Sequence, residues 1–195
     1  MRLPGRAGSG APVDWLVVGL GNPGTRYAGT PHNIGFEVAN RLAAHWELPR
    51  AKTKFGGLLT EGRTGPGGPR IAVLLPQTYM NDAGRSVGPA RGTYKLPLER
   101  VLVVHDEIDL PFGDVRARIG GGLAGHNGLK SLKAELGGAD FARVRIGVGR
   151  PDSTDPEIVS AHVLGAFRQS KAEVAALVDD AARTAEAIVL GEREL

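Results

Sequence analysis

Residues 15–21 (WLVVGLG) form an apolar run that does not alternate with polar residues and ends in a glycine turn. A continuous run of this length predicts a strand buried on both of its faces, as strands of parallel sheets are. Residues 101–105 (VLVVH) repeat the pattern and predict a second buried strand. Such strands need helices on both sides of the sheet, which points to an α/β fold.

The remaining segments complete this fold. We predict further strands at residues 55–63, 70–75, 115–119 and 144–148, and helices at residues 30–46, 130–136 and 171–190. In the first helix Thr30 is predicted as the N-cap and Pro31 as the first helical residue. Because a hairpin is embedded among alternating strands and helices, we predict a single-domain α/β fold. It comprises a mixed, parallel plus antiparallel, twisted sheet with helices on both faces over residues 14–195, preceded by a flexible tail at residues 1–13.

Composition excludes several classes of protein. The sequence has no cysteine, so disulfide frameworks, thiolate metal sites and cysteine nucleophiles are excluded. No apolar run approaches the roughly 18 residues that a membrane helix needs, so we expect no membrane association. The first residues lack the apolar core of a signal peptide. We therefore expect a cytoplasmic location, which the absence of cysteine also fits.

Positive charge is concentrated in the middle of the chain. Residues 111–150 carry seven Lys and Arg against three Asp and Glu. Arg116 alternates with Arg118, and Arg143 with Arg145, so each pair faces one side of its predicted strand. A basic face of this kind suits a phosphate backbone. A solvated sheet face would show the same pattern, and charge alone does not distinguish the two.

Two short patterns suggest functions that their surroundings oppose. GLGNPG at residues 19–24 fits the dinucleotide-binding GxGxxG, but Pro23 removes an amide where a pyrophosphate would need one, and the helix begins late. This leaves a tight turn, or a functional side chain at Asn22. GRSVG at residues 84–88 fits the nucleophile elbow GxSxG, but no strand pattern leads into Ser86.

Polar side chains follow several of the predicted strands or begin the predicted helices. Asn22 follows the first strand, His32 opens the first helix, Asn81 follows the hairpin and Asp106 follows the second buried strand. A glycine-rich loop at residues 120–128 adds His126 and Asn127. Because loops at strand ends converge on the ligand crevice of an α/β sheet, we expect these side chains to meet there.

Longer strings carry more information than these short patterns. They are GLGNPGTRYAGTPHNIGFEVA (residues 19–39), PQTYMNDAG (76–84), HDEIDLPFGDVRARIGGGLAGHNGLKSL (105–132) and FARVRIGVGRP (141–151). Together they resemble the successive signatures of bacterial peptidyl-tRNA hydrolases, and the similarity extends over about residues 15–190.

The resemblance implies a monomeric enzyme without a metal or other cofactor. Its partner would be peptidyl-tRNA, in which it would cleave the ester between the peptide and the terminal ribose. It implies that His32 is the catalytic histidine and that Asp106 supports it. The other implied residues are substrate-binding Asn22, Tyr27, Met80, Asn81, His126 and Asn127, and tRNA phosphate-binding Arg118 and Arg145.

The chemistry of these residues agrees with the resemblance. Ester hydrolysis without a metal needs a base for water and donors for the oxyanion. Near a helix start, His32 feels the positive end of the helix dipole, which disfavours its cation, while Asp106 would fix the tautomer and stabilise the cation formed during reaction. Asparagine side chains donate and accept hydrogen bonds without added charge. Since neither Ser86 nor Ser131 lies in a nucleophile's context, direct attack by water is favoured.

Two other functions remain open. His32, His105, Asp106, Asp109 and His126 include ligand types that divalent metals favour, so a metal-dependent hydrolase is one alternative, although no motif such as HExxH is present. A non-catalytic RNA-binding relative is the other. The complete set of His32, Asp106 and three asparagines opposes it, because a binding protein has no need of a catalytic pair.

Overall fold

The structure, a computed structural model, describes residues 11–195. Its seven strands form one sheet in the order β2-β3-β4-β1-β5-β7-β6. The strands are β1 (Trp15–Gly19), β2 (Lys52–Lys54), β3 (Gly57–Arg63), β4 (Arg70–Pro76), β5 (Val101–Glu107), β6 (Val115–Ile119) and β7 (Ala142–Gly147). The helices are α1 (Ile34–His45), α2 (Gly84–Tyr94), α3 (Asn127–Leu136), α4 (Pro156–Leu164) and α5 (Lys171–Val189).

The sheet is mixed, as predicted. Strands β4, β1, β5 and β7 are parallel to one another and form its centre. Strands β2 and β3 on one side, and β6 on the other, join it antiparallel. The carboxyl ends of all four central strands therefore lie along one edge, where ligands bind in sheets of this type.

Alternate residues of the central strands bury two apolar layers. Val17, Val104 and Val144 pack with α1 and α5 on one face. Leu16 and Val103 pack with α2 and α3 on the other face. Helices thus cover both faces, which confirms the predicted α/β class and explains why the central strands are apolar without alternation.

The first helix lies unusually close to the sheet. A methyl group on Gly35 would lie 2.5 Å from the Leu20 carbonyl oxygen and closer still to that of Val104. A methyl group on Gly19 would in turn meet the Gly35 carbonyl oxygen. Only glycine permits backbone to pack on backbone at this distance. The contact fixes the start of α1 directly above the carboxyl ends of β1 and β5.

Several predicted boundaries were wrong. Residues 31–33 form a 3-10 turn and α1 proper begins at Ile34, while the Thr30 hydroxyl donates to the Tyr27 carbonyl and does not cap the helix. Strand β5 continues beyond His105 through Asp106 and Glu107, which the sequence placed after the strand. Helix α3 starts at Asn127 and not at residue 130.

Three elements were not predicted as such. Strand β2 (KTK) is exposed and has no apolar pattern. Helix α2 contains Pro89 and several glycines, which hid its periodicity. Helix α4 follows a loop rich in Pro and Asp and begins with Pro156 behind an Asp155 cap.

The predicted tail at residues 1–13 falls mostly outside the described residues. Within them, Val13 is buried and Asp14 is hydrogen-bonded to the backbone of Arg70. Across residues 11–195, no helix is both long and apolar enough to span a membrane.

Candidate active site

His32 and Asp106 are in direct contact, as the sequence predicted. His32 lies in the turn that precedes α1, and Asp106 lies at the carboxyl end of β5. Nδ1 of His32 lies 3.0 and 2.9 Å from the two Asp106 carboxylate oxygens. Because an ionised carboxylate only accepts, Nδ1 carries the proton and Nε2 is left as a lone-pair base. The His32 side chain is 12% exposed and that of Asp106 is 3% exposed, so the pair is shielded but reachable.

A second histidine contacts the same carboxylate. The Nε2 of His126 lies 2.8 Å from Asp106 Oδ1. Its Nδ1 accepts the backbone N–H groups of Gly128 and Leu129 at 3.1 and 3.3 Å, so His126 caps the N-terminus of α3. Two donors on Nδ1 leave the ring proton on Nε2, where it is donated to Asp106. His126, predicted to bind substrate, thus also orients the Asp106 carboxylate.

Burial and neighbouring side chains together set the charge state of this group. Burial alone would raise the pKa of Asp106, but the adjacent His126 and His32 hold that pKa well below its usual range. Burial works to lower the pKa of His32, yet the Asp106 charge and hydrogen bond outweigh it and raise the pKa above its ordinary value. His105, behind the pair, is fully buried, and burial lowers its pKa to about 3. The site therefore pairs an ionised carboxylate with an imidazole whose pKa is held above its ordinary value by that carboxylate.

Asn22 is oriented by Met80, which the sequence analysis named as a substrate-binding residue, and by Asn33, which it did not single out. The side chain of Asn33 accepts the Asn22 N–H at 2.8 Å and donates to the Asn22 carbonyl at 2.9 Å. The Asn22 side-chain oxygen accepts the backbone N–H of Met80 at 2.7 Å. All three residues are buried. With its oxygen engaged, Asn22 is left with its NH₂ group as the free end.

These residues line a cleft of about 650 Å³. Of the predicted residues, Asn22, His32, Met80, Asn81, Asp106, His126 and Asn127 line it. Asn81 and Asn127 are exposed at its surface, and among residues 11–195 their side chains form no hydrogen bond that would occupy them. Tyr27 does not line the cleft; its ring lies beside the Arg26 guanidinium.

One wall of the cleft comes from α4, which the sequence analysis missed. Val159, Val163 and Leu164 present apolar surface there, with Lys130 and Arg150 nearby. The polar end of the cleft, with His32 and His126, thus adjoins a part of the cleft whose wall is largely apolar. The Pro156 that opens α4 was the one available sequence signal, since proline is favoured in the first helical turn.

Arg118 and Arg145 lie outside the cleft, on the β6–β7 edge of the sheet. In the antiparallel register Arg116 pairs with Arg145 and Arg118 with Arg143, so all four guanidinium groups face the same side. Arg143 is 1% exposed and donates to the carbonyls of Gly120 and Gly122. Arg118 and Arg145 therefore lie on one face of the sheet, and their role in binding phosphate stays a prediction.

The metal alternative can be compared with the donor set. His32, Asp106 and His126 offer ligand atoms within 4.8 Å of one another in the described part of the chain. Both imidazole protons that face Asp106 are donated to it, and a metal would have to displace both. His105 donates its Nδ1–H to the Asp106 carbonyl and meets the His126 ring edge to face, but it is not one of these three residues. The arrangement fits a proton-transfer site better than a metal site.

The serine alternatives lose their support in the structure. Ser86 is fully buried inside α2. Ser131 uses its hydroxyl to accept the Gly84 N–H at 2.9 Å. Neither hydroxyl lines the cleft. Attack by water remains the route that the geometry favours.

Comparisons with known proteins identify relatives over nearly the whole chain. The profile of the peptidyl-tRNA hydrolase family matches residues 16–194. A peptidyl-tRNA hydrolase of Methylocella silvestris is 47% identical over 178 residues, which cover 91% of this chain and 88% of the relative. That of Halalkalibacterium halodurans is 45% identical over 88% of this chain and 91% of the relative. The crystal structure of the peptidyl-tRNA hydrolase from Acinetobacter baumannii superposes with a TM-score of 0.80 at 38% identity, over 94% of this chain and 93% of that one.

Proposed function

The chain belongs to the peptidyl-tRNA hydrolase family, and we propose that it performs this hydrolysis by water attack with His32 as the general base. The reaction splits the ester between the peptide and the terminal ribose of tRNA, which frees the tRNA for reuse. The observation that carries the proposal is the hydrogen-bonded chain from His126 through Asp106 to His32. It leaves Nε2 of His32 as the unengaged base at the cleft.

The reaction begins with proton transfer from water to Nε2 of His32. The water oxygen bonds to the ester carbonyl carbon, and a tetrahedral oxyanion forms. Asp106 stabilises the imidazolium produced at this point. As the intermediate collapses, the ester C–O bond breaks and the imidazolium returns its proton to the ribose oxygen. The products are the peptide acid and the tRNA hydroxyl, and His32 is again neutral.

The asparagines supply the uncharged donors that this step needs. Asn22 has its oxygen engaged by Met80 N–H, so its NH₂ group is free for the oxyanion or the ester carbonyl. Asn81 and Asn127 lie at the cleft surface with both donors and acceptors free to bind the peptide backbone. Contacts of this kind favour no particular peptide sequence, which suits an enzyme whose substrates share only the ester and the tRNA.

The tRNA part of the substrate needs a separate, cationic surface. We assign this role to Arg118 and Arg145 on the β6–β7 edge, whose guanidinium groups match a terminal phosphate. Tyr27 stays a predicted substrate contact outside the cleft itself. We further propose that the chain acts as a monomer, in the cytoplasm and without a metal ion.

The test is hydrolysis of purified peptidyl-tRNA by the wild type and by two alanine variants. His32→Ala should reduce the rate about 10²–10⁴-fold, as loss of a general base does. Ser86→Ala is the matched control and should retain near-wild-type turnover. A strong chelator should leave the rate unchanged.

Each alternative predicts a different result. Loss of activity on chelation, restored by a divalent metal, would favour the metal-dependent hydrolase. Tight tRNA binding without turnover would favour the RNA-binding relative. A His32→Ala enzyme with more than half of the wild-type rate would refute the assignment of the base.

A further inference from the structure

Glu107 is a buried carboxylate that hydrolysis at His32 does not require. It ends β5, directly after Asp106, and is 2% exposed. Its Oε2 lies 3.1 Å from Nε of Arg145, and its Oε1 accepts the backbone N–H of Asp109 at 3.1 Å. Both oxygens are therefore engaged, and the side chain is fixed from two directions.

Arg145 is in turn only partly engaged. Its side chain is 18% exposed, and within residues 11–195 the contact with Glu107 is its one ion pair. That contact uses Nε, so the two terminal nitrogens, on the other edge of the guanidinium group, stay free. A guanidinium can serve a carboxylate and a phosphate at once, because its five N–H donors point along different edges.

The surroundings of Arg145 would drive it out of place without a carboxylate. Arg116 lies directly opposite it, and Arg118 and Arg143 lie on the same face. Like charges directly opposite in a sheet repel one another. Arg116 is paired with Asp114 at the surface, and Arg143 with two loop carbonyls. Glu107 is the acidic group that holds Arg145 in this cluster.

We propose that Glu107 is a positioning residue for tRNA binding: it holds Arg145 by Nε so that the terminal guanidinium edge faces the 5′-phosphate of the substrate. This inference rests on the proposed function and extends it to a residue of the cleft wall. It also links the two sites, because Glu107 adjoins Asp106 in the chain and lines the cleft.

The direction in which tRNA affinity changes when the Glu107 carboxylate is removed distinguishes positioning from a purely electrostatic role. Glu107→Gln makes the surface more positive by one charge, so electrostatics alone predicts tighter binding of tRNA. Positioning predicts weaker binding, because Arg145 loses its fixed orientation. Glutamine keeps the size of the side chain and an oxygen for the Asp109 N–H.

The experiment measures KM and kcat for full-length peptidyl-tRNA with and without its 5′-phosphate. In the wild type, removal of the phosphate should raise KM about tenfold, the value of one lost charge-assisted contact. In Glu107→Gln the KM for the phosphorylated substrate should rise to match the dephosphorylated one. The effect should fall on KM more than on kcat, because the contact acts on binding of the tRNA and not on the ester.

Two further variants sharpen the result. Asp114→Asn removes a carboxylate from Arg116 on the same face and should leave KM unchanged or lower. Arg145→Lys keeps the charge, but its single ammonium cannot serve Glu107 and phosphate through separate edges, so it should lose the dependence on the 5′-phosphate. If Glu107→Gln does not fold, the KM of Arg145→Lys with and without the 5′-phosphate still tests whether one guanidinium must contact Glu107 and phosphate together.

Failures of the two proposals are distinguishable. A wild type that does not hydrolyse peptidyl-tRNA refutes the proposed function. An active wild type whose KM ignores the 5′-phosphate, or Glu107→Gln and Arg145→Lys variants that keep the wild-type dependence on it, overturns the positioning role alone.

Discussion

Replacement of Asn33 by alanine tests whether the site depends on the buried contact between Asn33 and Asn22. The substitution removes two hydrogen bonds, at 2.8 and 2.9 Å, and leaves the Asn22 N–H and carbonyl buried without partners. Each orphaned group costs about 1–3 kcal/mol, so we expect the free energy of unfolding to fall by about 2–6 kcal/mol. That is a large part of the roughly 5–15 kcal/mol by which a domain is stable.

The measurement is equilibrium unfolding in urea, followed by the fluorescence of the two buried tryptophans, Trp15 and Trp46. With a slope of about 2 kcal/mol per molar urea, the expected loss moves the midpoint down by about 1–3 M. Asn40→Ala is the matched control, because Asn40 is an exposed asparagine of α1, the helix that directly follows Asn33. Its unfolding free energy should change by no more than about 0.5 kcal/mol.

Activity supplies the second readout. Asn33→Ala should lower kcat in the absence of urea, because the Asn22 side chain loses the backbone that aims it. Equal urea midpoints for Asn33→Ala and Asn40→Ala would refute the energetic reasoning. An unchanged kcat in a destabilised Asn33→Ala enzyme would show that Asn22 needs no such support.

Two other outcomes follow from the charges of the site. Asp106 raises the pKa of His32, and the base works only when deprotonated, so the wild-type rate should fall as the pH drops through a value above 6.5. In Asp106→Asn this fall in rate should occur at lower pH, because burial then lowers the pKa of His32 without a carboxylate to oppose it, and kcat should fall as well. pH–rate profiles of both enzymes measure this. A fall at the same pH in both enzymes would contradict it. Arg118→Ala combined with Arg145→Ala should raise KM for full-length peptidyl-tRNA and flatten its dependence on salt, with kcat nearly unchanged. Titration of KM from low to high salt tests this, and unaltered KM at low salt would assign both arginines to the solvated surface.

The central sheet could be predicted because burial on both faces leaves a direct trace in the sequence. The runs at residues 15–21 and 101–105 became β1 and β5, and the hairpin became β3 and β4. Helix α2 left no such trace, since glycine and proline are poor helix formers and its conformation depends on packing against α3. The exposed β2 has no core-facing pattern that could announce it.

The same distinction applies to the site. The contact of His32 with Asp106 follows from topology. The turn before α1, which holds His32, and the carboxyl end of β5, which holds Asp106, lie at the same edge of the sheet. Asn33 could not be singled out, because a buried asparagine and a capping asparagine look identical in a sequence. Glu107 was hidden for a similar reason: its partner Arg145 is 38 residues away, and only the pairing of β5 with β7 brings them together.

The backbone contact between Gly35 and the central strands separates two kinds of sequence change. No side chain lies between α1 and the sheet at this point, because backbone packs on backbone. A change of residue size elsewhere in the apolar layers therefore does not alter the spacing at this contact directly. The distance between His32 and Asp106 is then set more by this backbone contact than by how the rest of the core is filled. Exchanges among Val, Leu and Ile away from the contact should therefore change stability more than activity. Robustness of this kind comes from two residues that have no side chain.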